Sequence, residues 1–188
     1  MSNFEVLDGL PPYGPTALPF PEDGREAFRE GLVVRFHEAG GESWVGNFQK
    51  DFSGGFDFVI GHPDRRHVIV IAGGAGYFVD PELRRQTHMF GGGIKFAQHV
   101  ANLNIVIIGD DTRIGAFSAD GSGWSSERIS WDGMRNIAVD GTILRGEAWS
   151  PISNCWHPFE LDLLTGKSSD AVYGREMAAA VQISPAKP

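Results

Sequence analysis

The sequence predicts an all-β fold, mainly antiparallel, and three observations support that prediction. Apolar stretches are short, and turn residues separate them at intervals of roughly 8–12 residues, a spacing typical of sandwiches, barrels and propellers. Glycine accounts for 25 of 188 residues, which indicates many tight turns. Residues 128–166 contain three consecutive strand-like segments with turns between them. We therefore expect an antiparallel meander, either propeller-like or a β-sandwich.

The first 30 residues are predicted to be a proline-rich N-terminal arm. Prolines recur in this segment, and each lacks the amide donor that regular hydrogen bonding needs. Apolar side chains such as Phe4 and Tyr13 lie among the prolines. We therefore expect the arm, residues 1–30, to pack on the domain. Residues 22–29 are a candidate for one helical turn.

Strands are predicted wherever short apolar or β-branched runs lie between turn signals. In chain order these strands are residues 31–37, 42–48, 56–60, 68–72, 77–80, 104–109 and 113–118. Hairpin loops or turns are predicted at residues 38–41, 62–64, 73–76 and 110–111.

A tight hairpin is predicted at Asp140-Gly141, because this dipeptide favours the type I′ turn of two-residue loops. With these two residues as the loop, Val139 pairs with Thr142, and the apolar residues of both strands share one face. Residues 159–163 alternate apolar and acidic side chains, as expected for a strand with one solvated face.

Two segments depart from the strand pattern. Residues 81–90 are predicted to form a short helix with Asp80 as its N-cap. Residues 174–181 are rich in alanine and are also predicted to be helical. The predicted organisation is the arm, a single β domain at residues 31–183, and a frayed tail at residues 184–188.

Three segments share a pattern of strand, turn, second strand and closing aspartate. They are residues 56–80, 104–120 and 137–165, and their unequal lengths do not make a regular repeat. The last segment, with N-I-A-V-D-G-T-I-L and F-E-L-D-L-L-T-G, resembles one blade of a β-propeller. The segments R-I-S-W-D-G and W-H-P-F-E-L-D-L also resemble short uncharacterised bacterial β-rich proteins, and that resemblance implies no function.

Charge and hydropathy exclude several classes of partner. The net charge of −8 argues against nucleic acid, because a phosphate backbone requires a basic surface. Apolar runs such as residues 68–72 are too short to span a bilayer. No basic region followed by an apolar run begins the sequence, so no secretory signal is predicted. We expect a soluble cytoplasmic protein, and the sequence leaves its oligomeric state open.

Enzyme motifs fail on spacing or context, so we predict no catalytic residue and no cofactor. The glycines at residues 73–76 precede a strand, whereas a dinucleotide-binding loop must open a helix. No serine lies in a nucleophile elbow. Cys155 lies two residues from His157, with no sign of a third group that would orient the imidazole.

No metal site is predicted either. The single cysteine excludes a cysteine-built zinc site. His62 and His67 flank a turn, lack the spacing of a helical zinc motif and have no obvious carboxylate companion. Asp110 and Asp120 lack the alternation of a calcium loop, and we expect them to cap turns.

Four tryptophans fall close together in the sequence, and such residues either fill a core or anchor a partner. They are Trp124, Trp131, Trp149 and Trp156. Binding residues commonly lie on turns of a rigid scaffold. We therefore predict a binding surface that is formed by Trp124, Arg128, Trp131 and Asp132.

Three function classes follow from these observations. The favoured one is a non-enzymatic module that binds a protein partner, such as a bacterial immunity or adaptor protein. One alternative is a carbohydrate-binding module that uses the tryptophans. The other is a hydrolase whose acid/base pair comes from Asp110, Asp111, Asp120 or Glu147.

Overall fold

A computed structural model describes residues 3–22, 29–52 and 55–183. Four four-stranded sheets and one helix make up the regular structure of these residues, which confirms the predicted all-β fold. The chain divides into two compact units, Met1–Ala97 and Gln98–Pro188. The predicted helical turn falls largely on residues 23–28, which lie outside the described residues, as does the predicted frayed tail.

Two sheets are built from the first eight strands. These strands are β1 (Phe4–Leu7), β2 (Leu18–Phe20), β3 (Leu32–His37), β4 (Ser43–Phe48), β5 (Phe58–Gly61), β6 (Val68–Ala72), β7 (Ala75–Asp80) and β8 (Arg85–Phe90). The first sheet has the order β1-β3-β4-β2, in which β2 runs parallel to β4, and the second has the order β5-β6-β7-β8.

Two further sheets are built from the remaining strands. These strands are β9 (Phe96–Val100), β10 (Ile105–Gly109), β11 (Ile114–Ser118), β12 (Gly123–Ser125), β13 (Met134–Asp140), β14 (Ile143–Ser150), β15 (Cys155–Asp162) and β16 (Lys167–Ser168). Both sheets follow chain order, and helix α1 (Val172–Ile183) comes after them. Among the described residues, no helix combines the length and the apolar character that crossing a membrane requires.

The closing aspartates of the predicted segments lie at the same place in three sheets. Asp80, Asp120 and Asp162 each occupy the connection from the third strand of a sheet to the fourth. Each carboxylate accepts a hydrogen bond from the backbone N–H two residues later, as in an Asx-turn. Such four-stranded meanders have the strand order of a propeller blade.

The N-terminal arm contains the regular strands β1 and β2, although its prolines predicted no regular hydrogen bonding. Strand β1 pairs antiparallel with β3, and β2 pairs with β4. Pro19 lies inside β2, which is an edge strand. Proline is tolerated at a sheet edge because a strand there needs to donate on one side only.

The predicted helix at residues 81–90 is wrong. Asp80 Oδ1 does accept the N–H groups of Glu82 and Leu83, so the predicted cap is present. The chain then turns at Arg84, whose φ is 51°, and continues as β8. Pairing with β7 satisfies backbone groups of this segment in place of helical hydrogen bonds. The predicted helix at residues 174–181 is confirmed as α1.

The hairpin between β13 and β14 has a different register from the predicted one. Its loop is Gly141-Thr142 and not Asp140-Gly141. Asp140 is therefore the last residue of β13 and pairs with Ile143. Gly141 has a φ of 62°, a conformation that glycine adopts without steric cost. A bulge near Asn136, whose φ is 55°, shifts the pairing further along β13.

Each unit has its own core. In the first unit, aromatic and branched side chains from the two sheets form one buried cluster, which contains Phe20, Leu32, Val34, Phe36, Trp44, Phe48, Val68, Val70, Ala72, Tyr77 and Val79. In the second unit, β14 buries the alternate residues Leu144, Gly146, Ala148 and Ser150. The intervening residues of β14 therefore face outward.

Candidate functional site

Two tryptophans lie side by side on the outward face of β14 and β15. Trp149 is directly opposite Trp156, and both are half-buried. Their ring centroids are 5.4 Å apart, and the ring planes are inclined by 57°. We call this surface the tryptophan face and define it by Arg135, Glu147, Trp149 and Trp156.

The Arg135 guanidinium lies over one of these rings. Its guanidinium carbon lies 4.3 Å from the centroid of a Trp156 ring, within cation–π range. Its Nε donates to Glu147 Oε2 at 2.7 Å, and Asn136 Nδ2 donates to the same oxygen at 2.7 Å. The hydrogen bond from Arg135 lowers the pKa of Glu147, with burial opposing it and Asn136 reinforcing it. The bulge at Asn136 thus helps to fix the arginine on the tryptophan.

Further ion pairs continue along the same outward face of β14. Arg145 donates from Nε to Glu160 at 2.7 Å and from Nη1 to Asp140 at 3.0 Å. Exposed pairs of this kind add little to stability because water screens them. They do give the face an alternating pattern of charge beside the tryptophans.

Of the predicted binding residues, Trp131 and Arg128 contact helix α1. Trp131 Nε1 donates to Glu176 Oε2 at 2.7 Å, and its ring meets Tyr173 edge-on at 4.6 Å. The Arg128 guanidinium stacks on Tyr173 at 4.6 Å and donates to the Trp131 carbonyl oxygen at 2.6 Å. Ser150 Oγ donates to the other oxygen of the Glu176 carboxylate at 2.7 Å. These contacts fix the helix to the end of β14.

The other two predicted residues lie apart from each other. Asp132 is exposed in the turn before Gly133, and a Cβ on Gly133 would lie 3.3 Å from the Trp156 ring. This turn therefore adjoins the tryptophan face. Trp124 lies elsewhere, with its Nε1 donating to the Leu163 carbonyl oxygen at 3.0 Å and its ring against Gly166. Arg135 was not among the predicted binding residues, and it lies opposite Glu147 once the bulge sets the register.

Three carboxylates of the hydrolase alternative, Asp110, Asp120 and Glu147, are engaged in turns or an ion pair. Asp110 Oδ1 accepts the N–H groups of Thr112 at 2.6 Å and Arg113 at 2.8 Å, which confirms its capping role. Asp120 accepts both the hydroxyl and the N–H of Ser122. The Ser122 hydroxyl, its N–H group and lesser contributions lower the pKa of Asp120. A lowered pKa is the opposite of what a general acid needs at neutral pH.

Cys155 and His157 approach each other at the start of β15. Cys155 Sγ lies 3.3 Å from His157 Nε2, and Ser153 Oγ lies 2.7 Å from the same nitrogen. A catalytic dyad is oriented by a group on the other ring nitrogen. The serine therefore competes with the thiol for one nitrogen and does not orient the imidazole for catalysis.

A carboxylate lies between two histidines in the loop that joins β5 to β6, so the expectation that they lack such a companion was wrong. Asp64 Oδ1 is 3.0 Å from His62 Nδ1, and Asp64 Oδ2 is 2.6 Å from His67 Nδ1. Burial lowers the pKa of His62. Burial alone would raise the pKa of Asp64, but the hydrogen bonds with His67, Arg66 and His62 together outweigh it and lower that pKa. We call these three residues the histidine cluster.

Comparison with known proteins identifies no family. No protein-family model and no curated protein matches the chain. The crystal structure of the computationally designed Ika4 protein is similar over 56% of this chain and 66% of its own, with 18% identity and a TM-score of 0.40. The crystal structure of the eukaryotic initiation factor is similar over 73% of this chain and 39% of its own, with 12% identity and a TM-score of 0.40. The matches span less than two thirds of either structure.

Proposed function

We propose that this chain is a non-enzymatic module that binds a protein partner through the tryptophan face. One observation carries the proposal: Trp149 and Trp156 form a half-exposed pair on an outward sheet face, with Arg135 stacked on one of them. Tryptophan and arginine are the residue types enriched among interface hot spots. The neighbouring strands hold these side chains in place before a partner arrives, which reduces the entropy cost of binding.

A protein partner suits this geometry better than a sugar does. A sugar platform would need flat, accessible aromatic surface, but the two rings are inclined by 57°. The Arg135 guanidinium also covers a face of Trp156. The same arrangement leaves ring edges, a guanidinium edge and carboxylates available for the mixed contacts of a protein interface.

Charge favours a basic partner. The chain carries a net charge of −8, and Asp132, Glu147 and Glu160 add carboxylates on or beside the tryptophan face. Complementary charge speeds encounter, and aromatic anchors then slow dissociation. Within the proposal, the chain acts in the bacterial cytoplasm as an immunity or adaptor protein.

Co-purification from the host tests the proposal. The bait is the wild-type chain, with Arg135→Ala and Trp156→Ala as interface variants. Arg35→Ala is the matched control, because Arg35 also forms an exposed arginine–glutamate pair, with Glu5 at 2.9 Å, but on another sheet. We expect one basic protein to be retained by the wild type and by Arg35→Ala, and to be strongly depleted with both interface variants.

Parallel assays distinguish the alternatives. A hydrolase screen that finds turnover, together with loss of that turnover in Asp110→Asn, Asp111→Asn or Glu147→Gln and with no partner recovered, would replace the binding proposal with an enzyme. Retention on immobilised glycans that depends on Trp156 would instead favour carbohydrate recognition.

A further inference from the structure

We propose that His62, Asp64 and His67 form a binding site for a divalent metal ion of the zinc class. Two imidazole nitrogens and one carboxylate oxygen make a donor set that such ions prefer. The donor atoms of the three residues lie within 4.8 Å of one another. This site is independent of the tryptophan face and replaces the prediction of a metal-free chain.

The hairpin between β5 and β6 brings the donors together. The His62 N–H donates to the His67 carbonyl oxygen at 2.9 Å, so the two histidines face each other across the hairpin. Arg65 has a φ of 61°, which lets the four-residue loop close. Asp64 Oδ1 accepts the N–H groups of Arg66 and His67, both at 2.9 Å. The backbone therefore fixes the carboxylate between the rings.

The spacing of the donor atoms is close to that of ligands around a metal ion. Zinc binds nitrogen and oxygen at about 2.0–2.2 Å, so neighbouring ligands in a tetrahedral site lie about 3.4 Å apart. The two Nδ1 atoms now lie 3.0 Å and 2.6 Å from the Asp64 oxygens. His62 Nδ1 also accepts the Asp64 N–H at 3.2 Å. Small side-chain rotations would open this arrangement to ligand spacing, and the ion would take the place of that hydrogen bond and of the contact between His67 Nδ1 and Asp64 Oδ2.

The surroundings support ligation. His62 is 4% exposed, so its ring would hold an ion on the side that faces away from solvent. A buried carboxylate, Asp80, lies 3.9 Å from His67 Nε2 and is held by Arg66 at 2.6 Å. Carboxylates behind ligating histidines orient the ring and raise its basicity. Asp64 and His67 retain partial exposure, which provides a route of entry.

Three histidines surround one aromatic ring, and this supplies a matched control. The rings of His62, His67 and His88 lie 4.6 Å, 4.9 Å and 4.7 Å from the ring of Phe78. His67→Phe removes a proposed ligand while keeping an aromatic ring in contact with Phe78. His88→Phe makes the same chemical change outside the donor set. Asp64→Asn retains the oxygen that accepts the turn N–H groups but removes the charge.

The test is calorimetric titration of the chelator-treated full-length chain with zinc chloride, accompanied by thermal melts. We expect the wild type and His88→Phe to bind one equivalent and to melt at higher temperature with zinc, since a ligand of the native state stabilises it. His67→Phe and Asp64→Asn should bind more than about tenfold more weakly. Circular dichroism of the metal-free variants checks that they fold.

Two results would overturn the proposal. One is the absence of equimolar zinc binding by the wild type. The other is equimolar binding of unchanged affinity in both His67→Phe and Asp64→Asn, which would place the metal elsewhere on the chain.

Discussion

Trp149 and Trp156 face each other across β14 and β15, and Arg135 reaches over the second ring from β13. Three neighbouring strands therefore contribute to one aromatic and cationic surface. The arrangement depends on the register of the sheet, because a one-residue slip would turn every one of these side chains to the other face. The buried residues of β14 on the opposite face prevent that slip.

Removal of the Trp149 ring should destabilise the second unit moderately. Trp149 is half-buried, so Trp149→Ala should cost less than the roughly 3–5 kcal/mol lost when a buried tryptophan is truncated. Loss of the aromatic pair and part of its buried area suggests about 1–2 kcal/mol. Urea denaturation measures the change, with Trp149→Phe as the control that keeps a ring. An unchanged unfolding midpoint for Trp149→Ala would show that the pair does not pack as described.

The ion pair between Arg135 and Glu147 should be sensitive to acid. The pKa of Glu147 is lowered in the folded chain from its ordinary value of 4.5, so its ion pair is fully present above pH 4.5. Its contribution is lost as pH falls through the lowered value. The tryptophan fluorescence of the wild type should therefore change as the pH falls below about 4.5. Glu147→Gln lacks the titrating carboxylate and should not show this transition. Identical titrations of the two proteins would contradict this account.

The loop of the β13–β14 hairpin should accept only residues that tolerate a positive φ. Nothing lies within 4 Å of a Cβ built on Gly141, so a substitution there tests backbone strain alone. Gly141→Val should lower stability by about 1–2 kcal/mol, because a β-branched residue resists this conformation. Gly141→Asn should cost much less. Equal melting temperatures for the wild type and both variants would indicate a different turn.

Among the closing aspartates, Asp80 should contribute more to the free energy of unfolding than Asp120, because Asp80 is buried. Asp80 is fully buried, and its carboxylate is paired with Arg66, whereas Asp120 is exposed. Asp80→Ala would remove a buried carboxylate that accepts hydrogen bonds from Arg66 and from the Glu82 and Leu83 N–H groups, and it should cost about 3 kcal/mol. Asp120→Ala should cost about 1 kcal/mol. Denaturant unfolding in the presence of a chelator measures both variants, and equal losses would refute the distinction.

Local sequence chemistry predicted much of the fold. Residues 68–72 form a continuous apolar run, and Gly73-Gly74 adopts positive φ at both positions, so β6 and its hairpin follow directly. Strands β2 and β8 were missed because their sequences favour turns or helix, and only pairing with a neighbouring strand stabilises them. Tertiary hydrogen bonding outweighed local preference in both cases.

The candidate sites were harder to predict because they depend on register. A bulge near Asn136 brings Arg135 opposite Glu147, and no glycine in that strand signals the bulge. In the histidine cluster, the positive φ of Arg65 folds Asp64 back between the two rings. Neither contact is encoded in residue spacing alone. Aspartate caps such as Asp110 were predictable because the side chain binds its own turn.

The affinity of the recovered partner for single variants tests the central claim most directly. We predict that Arg135→Ala and Trp156→Ala each raise the dissociation constant about 30-fold, which is a loss of about 2 kcal/mol of binding free energy. Arg35→Ala should leave the constant unchanged. An affinity that is unaffected by both interface variants, measured on proteins with wild-type circular dichroism, would contradict recognition through the tryptophan face.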